Sequence, residues 1–225
     1  MDFVLIHGHG QGGSAWQPVV ELLTRQGHRA FAPTLPADRP EWLGADYARF
    51  VKEHTDAERP VLVGHSGGGN MLPAISNALD ARHLVWFAAI VPDFDTGESF
   101  MTQVEKHSAE IYTEECLNRT EPLTGTDPIS AYFLFHDCDL AQLRFALTTT
   151  REYQPLGVIN ERPVKQDLPP STYVLPKDDR IARPDFMRMM ARERLGVEPI
   201  EIAGGHIAHI AHADDIVDIV LKVAN

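Results

Sequence analysis

Up to Val91 the chain alternates short apolar runs with amphipathic stretches, and that rhythm restricts its fold more than any other feature. Phe3-Val4-Leu5-Ile6 reads as a buried strand, and Trp16 to Gln26 as a helix with Val19, Val20, Leu22 and Leu23 on its apolar face. His28 to Ala32 reads as a second strand, Glu41 to Thr55 as a helix, and Pro60 to Gly64 as a third strand. Asn70 to Leu79 is a further helix, and Leu84 to Val91 a fourth strand. Continuously apolar strands separated by helices imply a parallel sheet covered on both faces, because a helical crossover is what lets one parallel strand follow another.

The rhythm breaks between about 92 and 170, a segment with many charges, proline-rich edges and helical stretches such as Ile129 to Thr149. It resumes with Thr172 to Leu175 as a strand, Pro184 to Arg194 as a helix, Glu198 to Ile202 as a strand and Asp214 to Val223 as a helix. There is no internal repeat and no interior linker long enough to separate two units. The expectation is one α/β domain over residues 1–225: an open, mostly parallel sheet of about six strands, with residues 92–170 inserted as a helical lid.

Charge and composition exclude several classes of function. Lys and Arg number 20 against 32 Asp and Glu, a formal charge of −12, so the overall field repels phosphate backbones and anionic lipid. Neither nucleic acid nor a membrane is an expected partner. The longest apolar run, Leu84 to Pro92, is far short of the roughly 20 residues that cross a bilayer. The first residues lack a basic n-region, and a soluble, cytoplasmic protein is the expectation. Cys116 and Cys138 are too few for a disulfide framework and read as reduced thiols. The sequence leaves a homodimer open.

Chemistry is most legible in Val61-Leu62-Val63-Gly64-His65-Ser66-Gly67-Gly68-Gly69-Asn70, where a strand runs through G-x-S-x-G into a helix. In a nucleophile elbow the serine sits on a strained strand-to-helix turn, and flanking glycines admit backbone contacts that a Cβ would block. The following helix turns N–H groups and a partial positive dipole towards an oxyanion. A serine hydroxyl is a weak nucleophile near neutral pH, so it needs a base and a group to orient that base. His206, in Gly204-Gly205-His206 beyond a strand's carboxyl end, is the candidate base. Asp178 and Asp179, adjacent beyond the preceding strand, are candidates for the acid. One of them is expected to take the imidazole N–H and the other to be solvated. Serine, acid, histidine is the chain order of α/β-hydrolases.

Three competing patterns carry less. Gly8, Gly10 and Gly13 spell a dinucleotide-binding GxGxxG after the first strand, but the second strand ends in Phe31-Ala32-Pro33-Thr34, with no carboxylate until Asp38 beyond Pro36 to hold a ribose. His209 and His212 lack carboxylate or cysteine partners at metal-binding spacing and are expected on a loop and at the start of the last helix. Phe133, Phe135, Leu140, Leu143 and Phe145 form an apolar stripe that reads as core or as the lining of a small pocket. No metal and no organic cofactor is expected.

Together these residues resemble the compact α/β-hydrolases that include plant methyl-ester hydrolases, hydroxynitrile lyases and bacterial relatives. The resemblance rests on Phe3 to Gly8, Gly12 to Trp16, Gly27 to Ala30, Gly64 to Gly68, Asp179-Arg180 with Pro184 and Phe186, and Gly205-His206. It implies that Asp179, seven residues before Phe186, is the acid, and that the backbone N–H groups of His9 and Gly67 form the oxyanion hole. In the lyases a threonine replaces the glycine at position 8 and a lysine follows the catalytic histidine. Here those positions are Gly8 and Ile207, which favours hydrolysis of a small carboxylic ester over cyanohydrin cleavage. A ligand-binding or very slow hydrolase-like receptor, and a C–C hydrolase or lyase, are the alternatives on the same fold.

Overall fold

The structure, a computed structural model, describes residues 1–119, 123 and 127–224. Six strands form one parallel sheet in the order β2-β1-β3-β4-β5-β6. They are β1 (Asp2–Ile6), β2 (Arg29–Phe31), β3 (Val61–His65), β4 (His83–Phe87), β5 (Ser171–Pro176) and β6 (Ile200–Ile202).

Side-chain alternation along the strands supplies both faces. Phe3, Leu5, Val61, Val63, Val85, Phe87, Val174 and Ile202 pack with α1 (Gln17–Arg25), which contributes Val19 and Leu23. The same layer holds the carboxyl-terminal helix (Ala213–Ala224) through Ile216, Val217 and Val220. Val4, Ile6, Leu62, Leu84, Trp86, Tyr173 and Leu175 turn to the opposite face. There they meet α2 (Gly44–Glu53), α3 (Leu72–Leu79) and a helix at Pro184–Met189. A strand covered on both faces has no room for polar side chains, hence the unbroken apolar runs.

Between β4 and β5 the described residues form α4 (Phe100–Ile111), α5 (Glu114–Leu117), α6 (Pro128–Leu134), α7 (Leu140–Thr149) and α8 (Leu156–Asn160). The helices after β5 are α9 (Pro184–Met189), which runs on as a π-turn over Met190–Arg194, α10 (Ala208–Ala211) and α11 (Ala213–Ala224). Residues 120–122 and 124–126 of the expected insertion lie outside the described residues. No helix among the described residues is long and apolar enough to cross a membrane.

Two elements differ from expectation. The fourth strand stops at Phe87 rather than Val91, because Ala88 takes a left-handed φ of 44° and the chain turns over the end of β3, where the Ile90 N–H donates to the Ser66 carbonyl at 3.0 Å. The stretch Ile129 to Thr149 is two helices. Asp139 caps α7 by accepting the Gln142 N–H at 2.8 Å, while the Gln142 side chain accepts the Asp139 N–H at 2.8 Å, a reciprocal pair that starts a new helix. The aromatic stripe divides accordingly. Phe135 joins Ala15, Ala146, Ile207 and Ile210 in a small core, with Leu143 and Phe145 packed against it, whereas Leu140 is 65% exposed.

Candidate active site

Each candidate group stands just past the carboxyl end of a parallel strand. Ser66 directly follows β3, Asp179 lies three residues beyond β5, His206 four beyond β6 and His9 three beyond β1. Ser66 has φ 52°, a left-handed conformation that a residue with a Cβ adopts at a cost on the order of 1 kcal/mol. The elbow therefore stores strain at the serine and lifts its hydroxyl off the strand. A Cβ at Gly8 would lie 2.8 Å from Ser66 Cβ and 2.9 Å from His65 Nδ1, so only glycine lets the β1 turn reach the elbow.

Ser66, His206 and Asp179 meet. Asp179 Oδ1 accepts the N–H groups of Ile181 at 2.7 Å and Ala182 at 3.0 Å, and its Oδ2 lies 2.6 Å from His206 Nδ1. With Nδ1–H donating to the carboxylate, the lone pair of Nε2 faces the Ser66 hydroxyl at 2.9 Å. The Asp179 side chain is fully buried and that of His206 is 8% exposed. His9 is exposed, and its ring lies over Gly67: a Cβ at Gly67 would meet His9 Nε2 at 2.3 Å. His9 and Gly67, the residue after Ser66, therefore pack against each other.

Several supporting groups went unrecognised in the sequence. His65, the variable residue of G-x-S-x-G, donates Nε2–H to the His206 carbonyl at 2.9 Å. A carbonyl only accepts, so the His65 proton is on Nε2 and Nδ1 is bare. Burial holds the His65 pKa well below 6.5. His7 donates from Nδ1 to the Gly8 carbonyl at 2.9 Å and accepts the Leu35 N–H on Nε2 at 3.0 Å, and burial pushes its pKa down to about 4. His209 lies in α10, buried against Trp16 with ring centroids 4.3 Å apart, and burial lowers its pKa to about 3. His212 stands at the head of α11. Asp178, expected to be merely solvated, is exposed yet accepts the Gly204 N–H on Oδ2 at 3.0 Å. No sequence rule assigns partners to the variable position of an elbow, and the His65 bond spans 141 residues.

This fold defines an α/β hydrolase. The model of the alpha/beta hydrolase family matches residues 3–219, and the chain belongs to that family. It is 31% identical over 117 residues to the carbendazim hydrolyzing esterase of Nocardioides sp. (strain SG-4G), a match covering 47% of this chain and 48%, about half, of that protein. It is 25% identical over 257 residues to salicylic acid-binding protein 2 of Nicotiana tabacum, covering 99% of this chain and 96% of the relative. The crystal structure of polyneuridine aldehyde esterase shares the fold, with a TM-score of 0.75 at 22% identity, covering 100% of this chain and 99% of that one. The resemblance to plant methyl-ester hydrolases and bacterial relatives therefore stands, and the chain is a hydrolase-family enzyme with esterase-named relatives.

Proposed function

We propose that the chain hydrolyses a small carboxylic ester through an acyl-enzyme. The observation that carries this reading is the relay in which one imidazole touches both the Ser66 hydroxyl at 2.9 Å and the Asp179 carboxylate at 2.6 Å. His206 Nε2 takes the Ser66 proton as Oγ attacks the ester carbonyl, and Asp179 holds the tautomer and stabilises the imidazolium. The backbone N–H groups of His9 and Gly67 receive the oxyanion. His206 then returns the proton to the departing alcohol, and water, activated by the same imidazole, releases the acid. The sequence calls on no metal or organic cofactor. The helices between β4 and β5 act as the lid that shapes the substrate site.

A lyase reading lacks its cation, since Ile207 follows His206 and is buried in the Phe135–Ile210 cluster. A binding role is the second reading, favoured by the similarity to a protein named for binding salicylic acid. Covalent labelling by a fluorophosphonate, located on Ser66 by peptide mapping, together with repeated turnover of p-nitrophenyl acetate, supports the esterase. Tight binding of a small carboxylic acid without turnover overturns it in favour of the binding protein.

A further inference from the structure

A cluster of polar side chains that the proposed mechanism does not use lies between the insertion and the two loops bearing Asp179 and His206. Asp137, in the turn from α6 to α7, has only 11% of its side chain exposed. Its Oδ2 accepts the N–H of Gly205, the residue immediately before His206, at 2.7 Å, and lies 3.6 Å from His212 Nε2. One residue earlier, His136 donates Nε2–H to the Asp178 carbonyl at 3.0 Å. The Asp178 carboxylate accepts the Gly204 N–H at 3.0 Å, and the Asp178 N–H donates to the Gly204 carbonyl at 3.0 Å. Neighbouring residues of the insertion thus grip the acid-bearing loop and the base-bearing loop at once.

The glycines make room for that grip. A Cβ at Gly205 would come within 2.5 Å of His136 Nε2, and one at Gly204 within 2.6 Å of the His212 ring and 2.8 Å of Asp137 Oδ2. Gly204 also has φ 104°, which side chains rarely adopt. The Gly-Gly pair ahead of His206 is therefore the seat of a carboxylate and an imidazole supplied by another part of the chain.

We infer that Asp137 is a positioning residue for His206, its carboxylate anchoring the Gly205 N–H and so fixing the backbone from which the imidazole reaches Ser66. His65 holds the His206 carbonyl on the other side of the same residue, so the histidine is pinned before and after its Cα. A base held from both sides stays within hydrogen-bond reach of the hydroxyl, and loss of one anchor lets the ring drift by distances that reduce rate steeply. The rate effects of this inference rest on the esterase reading, whereas the placement of the imidazole does not.

The test uses Asp137→Ala, Asp137→Leu and Asp137→Asn in the full chain. For p-nitrophenyl acetate, Ala and Leu should lower kcat about 10- to 100-fold with KM changed less than about twofold. Asn, whose side-chain oxygen still accepts the Gly205 N–H, should stay within about threefold of the wild type. Leu fills the space without an acceptor, so it takes the place of an alanine variant that fails to fold. The low-field proton NMR signal of His206 Nδ1–H should broaden or move upfield in Ala and Leu and recover in Asn. Wild-type kcat and an unchanged low-field signal in Ala and Leu overturn the inference, as does an equal loss in Asn. If the wild-type chain neither labels with fluorophosphonate nor turns over ester, the esterase reading fails, and the NMR signal alone decides the place of Asp137.

Discussion

β3 is buried along its whole length from Val61 to His65, whereas α7 of the insertion buries only Ala146 and Thr149 and leaves Leu140 65% exposed. The two regions also make different bonds. The sheet is held by its own parallel ladder and by apolar layers on both faces. The insertion is tied down at the rim. Thr149 and Tyr153 accept the N–H groups of Gly12 and Gly10 at 3.1 Å, Arg151 donates back to the Gly10 carbonyl at 3.0 Å, and Gln142 reaches the Ala211 carbonyl at 3.1 Å. Together with Asp137 on Gly205, these seams touch the loop bearing His9 and the loop bearing His206. The frame fixes where the groups proposed to react stand, and the insertion trims how they are held. Changes to the frame's reactive groups should therefore abolish function, while changes in the insertion should scale it.

The largest effect is expected at Ser66. Ser66→Ala should lower turnover of p-nitrophenyl acetate by at least about 10⁴-fold, because an alkyl side chain offers no nucleophile. Its Tm should stay within a few degrees of wild type, since the hydroxyl adds little to packing. Residual turnover above a tenth would break the assignment of chemistry to the frame. Asp179→Asn should cost on the order of 10³- to 10⁴-fold by favouring the wrong tautomer of His206. Asp178→Asn should cost less than about tenfold, because its oxygen still accepts the Gly204 N–H. A reversed ranking in kcat would move the acid to the neighbouring position.

The same division decides what the sequence makes visible. β1, β3 and β5 are legible because burial on both faces leaves an uninterrupted apolar run, and the elbow is legible because its glycines stand in fixed places around Ser66. The run from Leu84 to Val91 is apolar for a second reason that sequence does not separate from strand. Ala88 to Val91 pack as a buried loop over the elbow, with the Ile90 N–H satisfied by Ser66 instead of a ladder partner. In the insertion, Asp139 with Gln142 three residues later is a helix-start signal, hidden within a stretch whose apolar spacing runs through it. Asp137 is illegible in principle, since its partner Gly205 is 68 residues away and neither residue alone specifies the other.

A smaller effect follows from the frame's buried histidines. His7 and His209 stay neutral in the folded chain down to about pH 4 and about pH 3, because burial opposes their charging, while the unfolded chain protonates them near 6.5. Between pH 6.5 and pH 4 the unfolded state therefore binds more protons, and stability falls as pH falls. By pH 5 each histidine should have cost about 2 kcal/mol relative to pH 7. Urea midpoints at the two pH values measure the loss, and His209→Phe should remove its own share of about 2 kcal/mol while His7 and the equally buried His65 keep theirs. Equal midpoints at pH 7 and pH 5 would show that the frame holds no such buried imidazoles.

The smallest effect, and the sharpest probe of the division, lies in the α7 cap. Asp139→Ala removes the acceptor of the Gln142 N–H and should destabilise α7 by about 1 kcal/mol. Because α7 packs mainly through Ala146 and the rim seams, that loss should appear as local opening and not as a shift of the whole unfolding transition. Amide hydrogen exchange within Leu140–Thr149 should quicken about fivefold, while that of Val61–His65 stays unchanged. Such local opening lets the seams at Thr149 and Tyr153 breathe, so kcat should fall by no more than about threefold. Equal acceleration in α7 and β3 would mean that the insertion and the sheet open as one cooperative unit, and the contrast between frame and rim would be lost.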